Sequence, residues 1–166
     1  GNLGDSYLGL LVLKNKLKLN HQLKKYFTNQ YFMPNIQLKL TKKIKKFANT
    51  SIDISDGLLA DLDKMINNQK LSYKIFLDDV PISNNLKKIL DFKNLSKINY
   101  VSNGDDYQVL FTASKNKMRI IRKIASNCRI KLTKIGTIQS QGKKSSIIND
   151  KNVQISLKNK GYFHKF

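Results

Sequence analysis

The sequence contains no glutamate, one cysteine, two prolines and three arginines in 166 residues. Each scarcity excludes something. The single cysteine, Cys128, cannot close an internal disulfide, so the chain is no disulfide-stapled scaffold and its thiol suits a reducing compartment. The two histidines, His21 and His164, stand in no recognisable cysteine-enzyme context. Cys128 follows Ala125-Ser126-Asn127 at an expected helix end and is read as a structural thiol. Apolar runs such as Leu8–Leu13 fall far short of the roughly 20 residues that cross a bilayer, so no membrane association is expected. No charged-then-apolar leader opens the chain, and a cytoplasmic location is expected. The first residue is Gly1, with a helix start close behind it, which suggests part of something longer.

Without glutamate, eleven aspartates supply every side-chain carboxylate, against 31 lysines and arginines and a formal charge of +20. Such a charge attracts polyanions. Its make-up tempers that inference: all but three of the cations are lysines, and asparagine and isoleucine are abundant too, as A/T-rich codons alone would produce. The stretch "LKKYFTNQYFMP" sets Lys24 and Lys25 among Tyr26, Phe27, Tyr31 and Phe32, which is the best support for an alternative reading as a single-strand-binding module. The same aromatics have core-like helical spacing, and no nucleic-acid motif accompanies them. Nucleic acid is therefore not the expected partner.

Apolar periodicity organises the chain without a linker or an internal repeat. Gly4-Asp5-Ser6 reads as a helix start, with Asp5 or Ser6 as cap and Leu8, Leu11 and Val12 on one face. A second helix runs through Leu23 and Phe27 to the neighbourhood of Pro34, and a third spans Ile36–Phe47. Ser51–Ser55 alternates as a strand, with Ile52 and Ile54 facing one way and Asp53 and Ser55 the other. Asp56-Gly57 breaks it, and Leu58, Leu59, Leu62, Met65 and Ile66 follow at helical spacing. A strand near Leu71–Leu77, a helix near Asn84–Phe92, a strand Tyr107–Ala113, a helix Met118–Ala125 and late strands in Lys131–Ile138 and Ser145–Leu157 complete the pattern, with turns at Gly136 and Gln141-Gly142. The expected fold is one α/β (α+β) domain over 1–166, a single mixed sheet covered by helices.

Carboxylates are sparse, so their clustering is informative. "SIDISDGLLADL" puts Asp53, Ser55 and Asp56 at a strand end and a helix start. Ligands of open α/β sheets bind beyond strand ends, and a helix N-terminus offers amides to phosphate. Two carboxylates there repel phosphate unless a hard cation lies between them, and Mg²⁺ is the natural bridge. The bland alternative is Asp56 as an N-cap beside an exposed Asp53. "VSNGDDYQVLFT" puts Asp105 and Asp106 at a second strand mouth, after an Asn103-Gly104 turn able to take positive φ. An ordinary turn with solvated acids is the alternative there. A third pair, Asp78-Asp79, is read as loop chemistry.

Taken together, "DISDGLLADL", "NGDDYQVLFT" and the terminal "GYFHKF" resemble thiamine-monophosphate kinase, specifically the carboxy-terminal domain of that family within the aminoimidazole-ribonucleotide-synthetase superfamily. The resemblance covers essentially the whole chain. It implies Mg²⁺-dependent transfer of the γ-phosphoryl group of ATP to thiamine monophosphate, giving thiamine diphosphate and ADP. It further implies Asp53 and Asp56 as metal ligands, Ser55 as an ATP contact, and Asp105 and Tyr162 as contacts of the thiamine substrate. The complete family chain adds an amino-terminal domain that carries more metal-binding acids, much of the ATP site and the usual homodimer contacts. That domain is expected to be missing from this chain, which alone is expected to be inactive. Two departures from the family pattern stand out: Asn103 where a glycine is usual, and Pro34-Asn35-Ile36-Gln37 where a proline–arginine element is common. A different ATP-dependent enzyme of the same superfamily is the remaining alternative.

Overall fold

The computed structural model describes residues 1–66, 69–140, 142–156 and 161. Three helices come first: α1 (Asp5–Leu13), α2 (His21–Phe32) and α3 (Leu38–Ile44). Strand β1 (Thr50–Ile54), helix α4 (Leu58–Met65), strand β2 (Ser72–Phe76), helix α5 (Asn84–Phe92) and the short α6 (Ile98–Val101) follow. The chain continues through β3 (Gln108–Thr112), α7 (Met118–Cys128), β4 (Gly136–Gln139) and β5 (Ser146–Ile148). No helix among the described residues is long and apolar enough to cross a membrane.

The α/β class and the helical cover hold, but the described strands form two sheets where a single mixed one was expected. β1 pairs antiparallel with β3, setting Asp53 opposite Val109 and Ile54 opposite Gln108. The second sheet runs β4-β2-β5, antiparallel on one side of β2 and parallel on the other. The two sheets share a core rather than a hydrogen-bonded edge. Ile54 and Leu110 of the first and Tyr73, Ile75 and Ile147 of the second pack in one cluster with Leu58, Leu59 and Leu62 of α4. The alternation read in 51–55 is thereby accounted for: Ile54 is buried in that cluster while Asp53 points out.

Two further clusters complete the packing. Leu8, Val12, Phe27, Leu86 and Ile89 join α1, α2 and α5. Leu40, Phe47, Ile124 and Cys128 join α3 to α7 against Val109 and Phe111 of β3. Cys128 is thus a core thiol, with its sulfur donating to the Lys39 carbonyl at 3.6 Å. Phe27 is fully buried and the Tyr26 hydroxyl donates to Asp5, so these two aromatics beside Lys24 and Lys25 serve the core, while Phe32 at the end of α2 is exposed.

Other expectations shift in detail. α3 is shorter than 36–47, although Phe47 beyond its end remains buried. Gly136 opens β4 instead of turning the chain, because pairing with β2 extends it. The late strand expected over 145–157 reduces to β5 and a bridge between Ile148 and Gln154; Leu157 lies outside the described residues. α1 starts without a cap from its own first turn: Gly4 is left-handed, and neither Asp5 nor Ser6 caps.

Candidate functional site

The cap missing from α1 is supplied from a distant part of the chain. Asp106 accepts the Gly4 amide at 2.7 Å and the Ser6 amide at 3.3 Å. Asp106 is buried, and burial pushes its carboxyl up to about 7, against the pull of those amides. Asp5 beside it is also buried and accepts from the Ser83 hydroxyl at 2.7 Å and the Tyr26 hydroxyl at 2.9 Å. Desolvation raises the Asp5 carboxyl above its ordinary value. Asp5, Ser6, Tyr26 and Asp106 border a cavity of about 480 Å³ lined also by Asn35, Gln108 and Arg129. None of Asp53, Ser55, Asp56 or Asp105 lines it. The two adjacent acids of the second motif therefore serve different places: Asp106 clasps α1, and Asp105 turns to the rim of the first sheet.

That rim is built by backbone. After Ile54 the chain leaves β1, and the Ser55 carbonyl accepts the Asp105 amide at 2.9 Å. The Ile54 carbonyl accepts the Tyr107 amide at 2.8 Å. These two bonds hold Ile54 and Ser55 against the segment 105–107. Contact is close enough to need glycine on both sides. A Cβ on Gly57, whose φ is +118°, would lie 2.1 Å from the Ser102 carbonyl oxygen, and one on Gly104 would lie 1.7 Å from that of Ser55. Asn103 and Gly104 do not take positive φ; the left-handed residues are Asp105 (φ 68°) and Tyr107 (φ 50°). Gly104 serves by lacking a side chain rather than by turning.

Asp53, Asp56 and Asp105 share this rim. The Asp105 carboxyl is raised by burial and then by the charge of Asp56. The Tyr107 phenol, two-fifths exposed, is raised by burial and then by Asp105, Asp53, Tyr31 and Asp56. One ring therefore feels all three acids. In the sequence Tyr107 stands at the start of a strand with no role at the site assigned to it; only its place in the motif with Asp105 could have flagged it. Asp56 does not cap α4, whose N-cap is Gly57. It pairs instead with the Lys64 ammonium, which also reaches Asp61 at 3.0 Å. The Lys64 ammonium is raised accordingly, first by its bond to Asp56 and then by Asp61. Asp78, by contrast, accepts the Asp150 amide at 2.7 Å and holds two loops together. Tyr162 lies outside the described residues, although Gly161 before it packs on Ala60 and the Asp56 carbonyl.

Among the described residues no three acid, histidine or cysteine side chains gather closely enough to cage a metal ion. The rim offers hard carboxylate oxygens at a helix start, a donor set for a cation that keeps much of its coordination for water and phosphate.

The architecture belongs to a recognisable class. It superposes on E. coli HypE, a hydrogenase maturation protein, with a TM-score of 0.62 over 95% of this chain and 47% of that one; at 13% identity this is a likeness of fold alone. Within the class, the particular relatives are thiamine-monophosphate kinases. The chain is 32% identical over 167 residues to that of Buchnera aphidicola subsp. Acyrthosiphon pisum, covering 99% of this chain and 50% of the relative. It is 34% identical over 168 residues to that of Buchnera aphidicola subsp. Schizaphis graminum, with the same coverage. The structure of AaThiL complexed with AMPPCP and TMP superposes with a TM-score of 0.76 and 28% identity, covering 99% of this chain and 49% of that chain. No family model matches. In sequence and in fold the chain is a relative of the thiamine-monophosphate kinases, and it spans about half the length of the curated relatives it matches.

Proposed function

We propose that this chain is the carboxy-terminal half of a thiamine-monophosphate kinase, which transfers the γ-phosphoryl group of ATP to thiamine monophosphate and needs an amino-terminal half for activity. The observation that carries the reading is the bond from the Asp105 amide to the Ser55 carbonyl at 2.9 Å, which joins the two acid-bearing motifs into one rim. The relatives' name and the nucleotide analogue bound in AaThiL support it.

In this reading Asp53 and Asp56 hold Mg²⁺. When bound, the ion would neutralise phosphate charge, which suits a reaction governed by positioning and electrostatics. The chain's own work is local. The Ser55 hydroxyl donates to an ATP phosphate oxygen. Asp105, facing the cationic thiamine substrate, attracts it by charge, and Tyr162 stacks on its rings. Lys64 neutralises Asp56 until the substrates arrive.

The test is thiamine diphosphate formation. This chain alone should give no turnover. In the complete kinase, Asp53→Asn or Asp56→Asn should lower kcat by about 10²-fold or more. Asp105→Ala should chiefly raise the KM for thiamine monophosphate. An unchanged KM would return the site to a different phosphate acceptor within the same fold.

A further inference from the structure

We infer that Asp61 is the positioning residue of the nucleotide–metal loop, an inference that rests on the function proposed above and adds a residue to it. Asp61 lies on α4, five positions beyond Asp56, with its side chain turned back towards the helix start. One of its oxygens, Oδ2, accepts three successive backbone amides: Ser55 at 2.9 Å, Asp56 at 2.9 Å and Gly57 at 3.1 Å. The other, Oδ1, accepts Lys64 at 3.0 Å. Its residue is only 1% exposed.

A carboxylate this deep must be compensated, and here the compensation comes from the loop itself. Three amides converging on one oxygen fix three consecutive peptide planes. Those planes belong to Ser55 and Asp56, the residues assigned to nucleotide and metal, and to Gly57, which starts α4. The Ser55 carbonyl, held on the far side of the same segment, is the acceptor for Asp105. Asp61 thus sets the backbone that carries Asp56 and whose Ser55 carbonyl receives the Asp105 amide, without itself reaching the rim. Lys64 ties Asp61 to Asp56 and adds a side-chain restraint to the backbone one.

The experiment uses this chain, isotopically labelled, with two readouts by NMR. Amide exchange at Ser55, Asp56 and Gly57 reads the loop, and line broadening by Mn²⁺ at Asp53 and Asp56 reads the cation site without requiring catalysis. In Asp61→Ala those three amides should exchange roughly tenfold faster or more, while the amides of β1 and β3 keep their wild-type rates. Mn²⁺ broadening should weaken at the same time. Asp61→Asn, which retains one acceptor oxygen, should restore part of the protection, and Lys64→Ala should leave the three amides protected. Unchanged exchange in Asp61→Ala overturns the role, and so does acceleration spread evenly over the chain, which would make Asp61 a general stabiliser. Accelerated exchange with no Mn²⁺ broadening even in the wild type would overturn the metal reading of the loop and with it the purpose given to Asp61, while its three amide contacts would stand.

Discussion

Gly104 shows how little room the rim leaves. A methyl group there would sit 1.7 Å from the Ser55 oxygen and 2.6 Å from its carbon, both backbone atoms that no rotamer change can move. Relief requires separating the two segments, which breaks the bond between the Asp105 amide and the Ser55 carbonyl. Gly104→Ala should therefore destabilise the chain by about 2–4 kcal/mol in urea unfolding, in the upper range of overpacking effects. At this scale the sequence was partly legible. The acids of the two motifs could be picked out because carboxylates are rare in a chain of charge +20. The division of labour between Asp105 and Asp106 could not. Asp106 earns its place through Gly4, 102 positions away, and no local pattern encodes a contact of that separation. Asp61 was hidden for the opposite reason. In a strongly amphipathic helix it looks like another polar residue, and only its backward turn reveals three amide partners.

Elements differ in legibility according to where their stabilisation originates. α4, α5 and β1 carry their own periodicity and lie close to where it puts them. α6 and β4 have little intrinsic pattern and depend on neighbours, β4 on pairing with β2. The junction of α1 with β3 is another product of distant partners, and it has a pH signature. The Asp106 carboxyl moves from an ordinary 3.8 to about 7, chiefly by burial, so the folded state favours its neutral form. A carboxyl raised on folding stabilises fully below its unfolded pKa, and that contribution is lost as pH climbs through the folded value. Asp5 and Asp105 shift in the same direction. Unfolding free energy should accordingly fall between about pH 4 and about pH 7, with Asp106 alone contributing about 3 kcal/mol of the decline. Asp106→Asn, neutral throughout, should flatten the profile, gaining on the wild type as pH rises. Denaturation midpoints of both proteins at the two pH values check this. An unchanged slope in the variant would mean that Asp106 is ionised in the folded chain at the lower pH.

The molecule as a whole carries a charge that its fold does little to compensate. Thirty-one cations face eleven acids, and several of those acids are committed inside the structure: Asp5, Asp61 and Asp106 are buried against amides, hydroxyls or a single lysine. Most lysines therefore repel one another across the surface, and unfolding relieves that repulsion by spreading the charges apart. Salt screens it over a Debye length of about 10 Å at 0.1 M, comparable to the spacing of surface charges. The pair of Lys64 with Asp56 is weakened by the same salt, but Lys64 is half exposed and such a pair contributes little to begin with. Repulsion should win. Raising sodium chloride from about 20 mM to about 500 mM should increase the melting temperature by several degrees, most steeply over the lower part of the range. Chloride serves better than sulfate, since sulfate strengthens apolar burial in any protein and would mask the charge effect. A melting temperature that falls with added chloride would show attractive pairs prevailing over the excess of lysine, and would imply that the cations are distributed to meet acids rather than merely accumulated by composition.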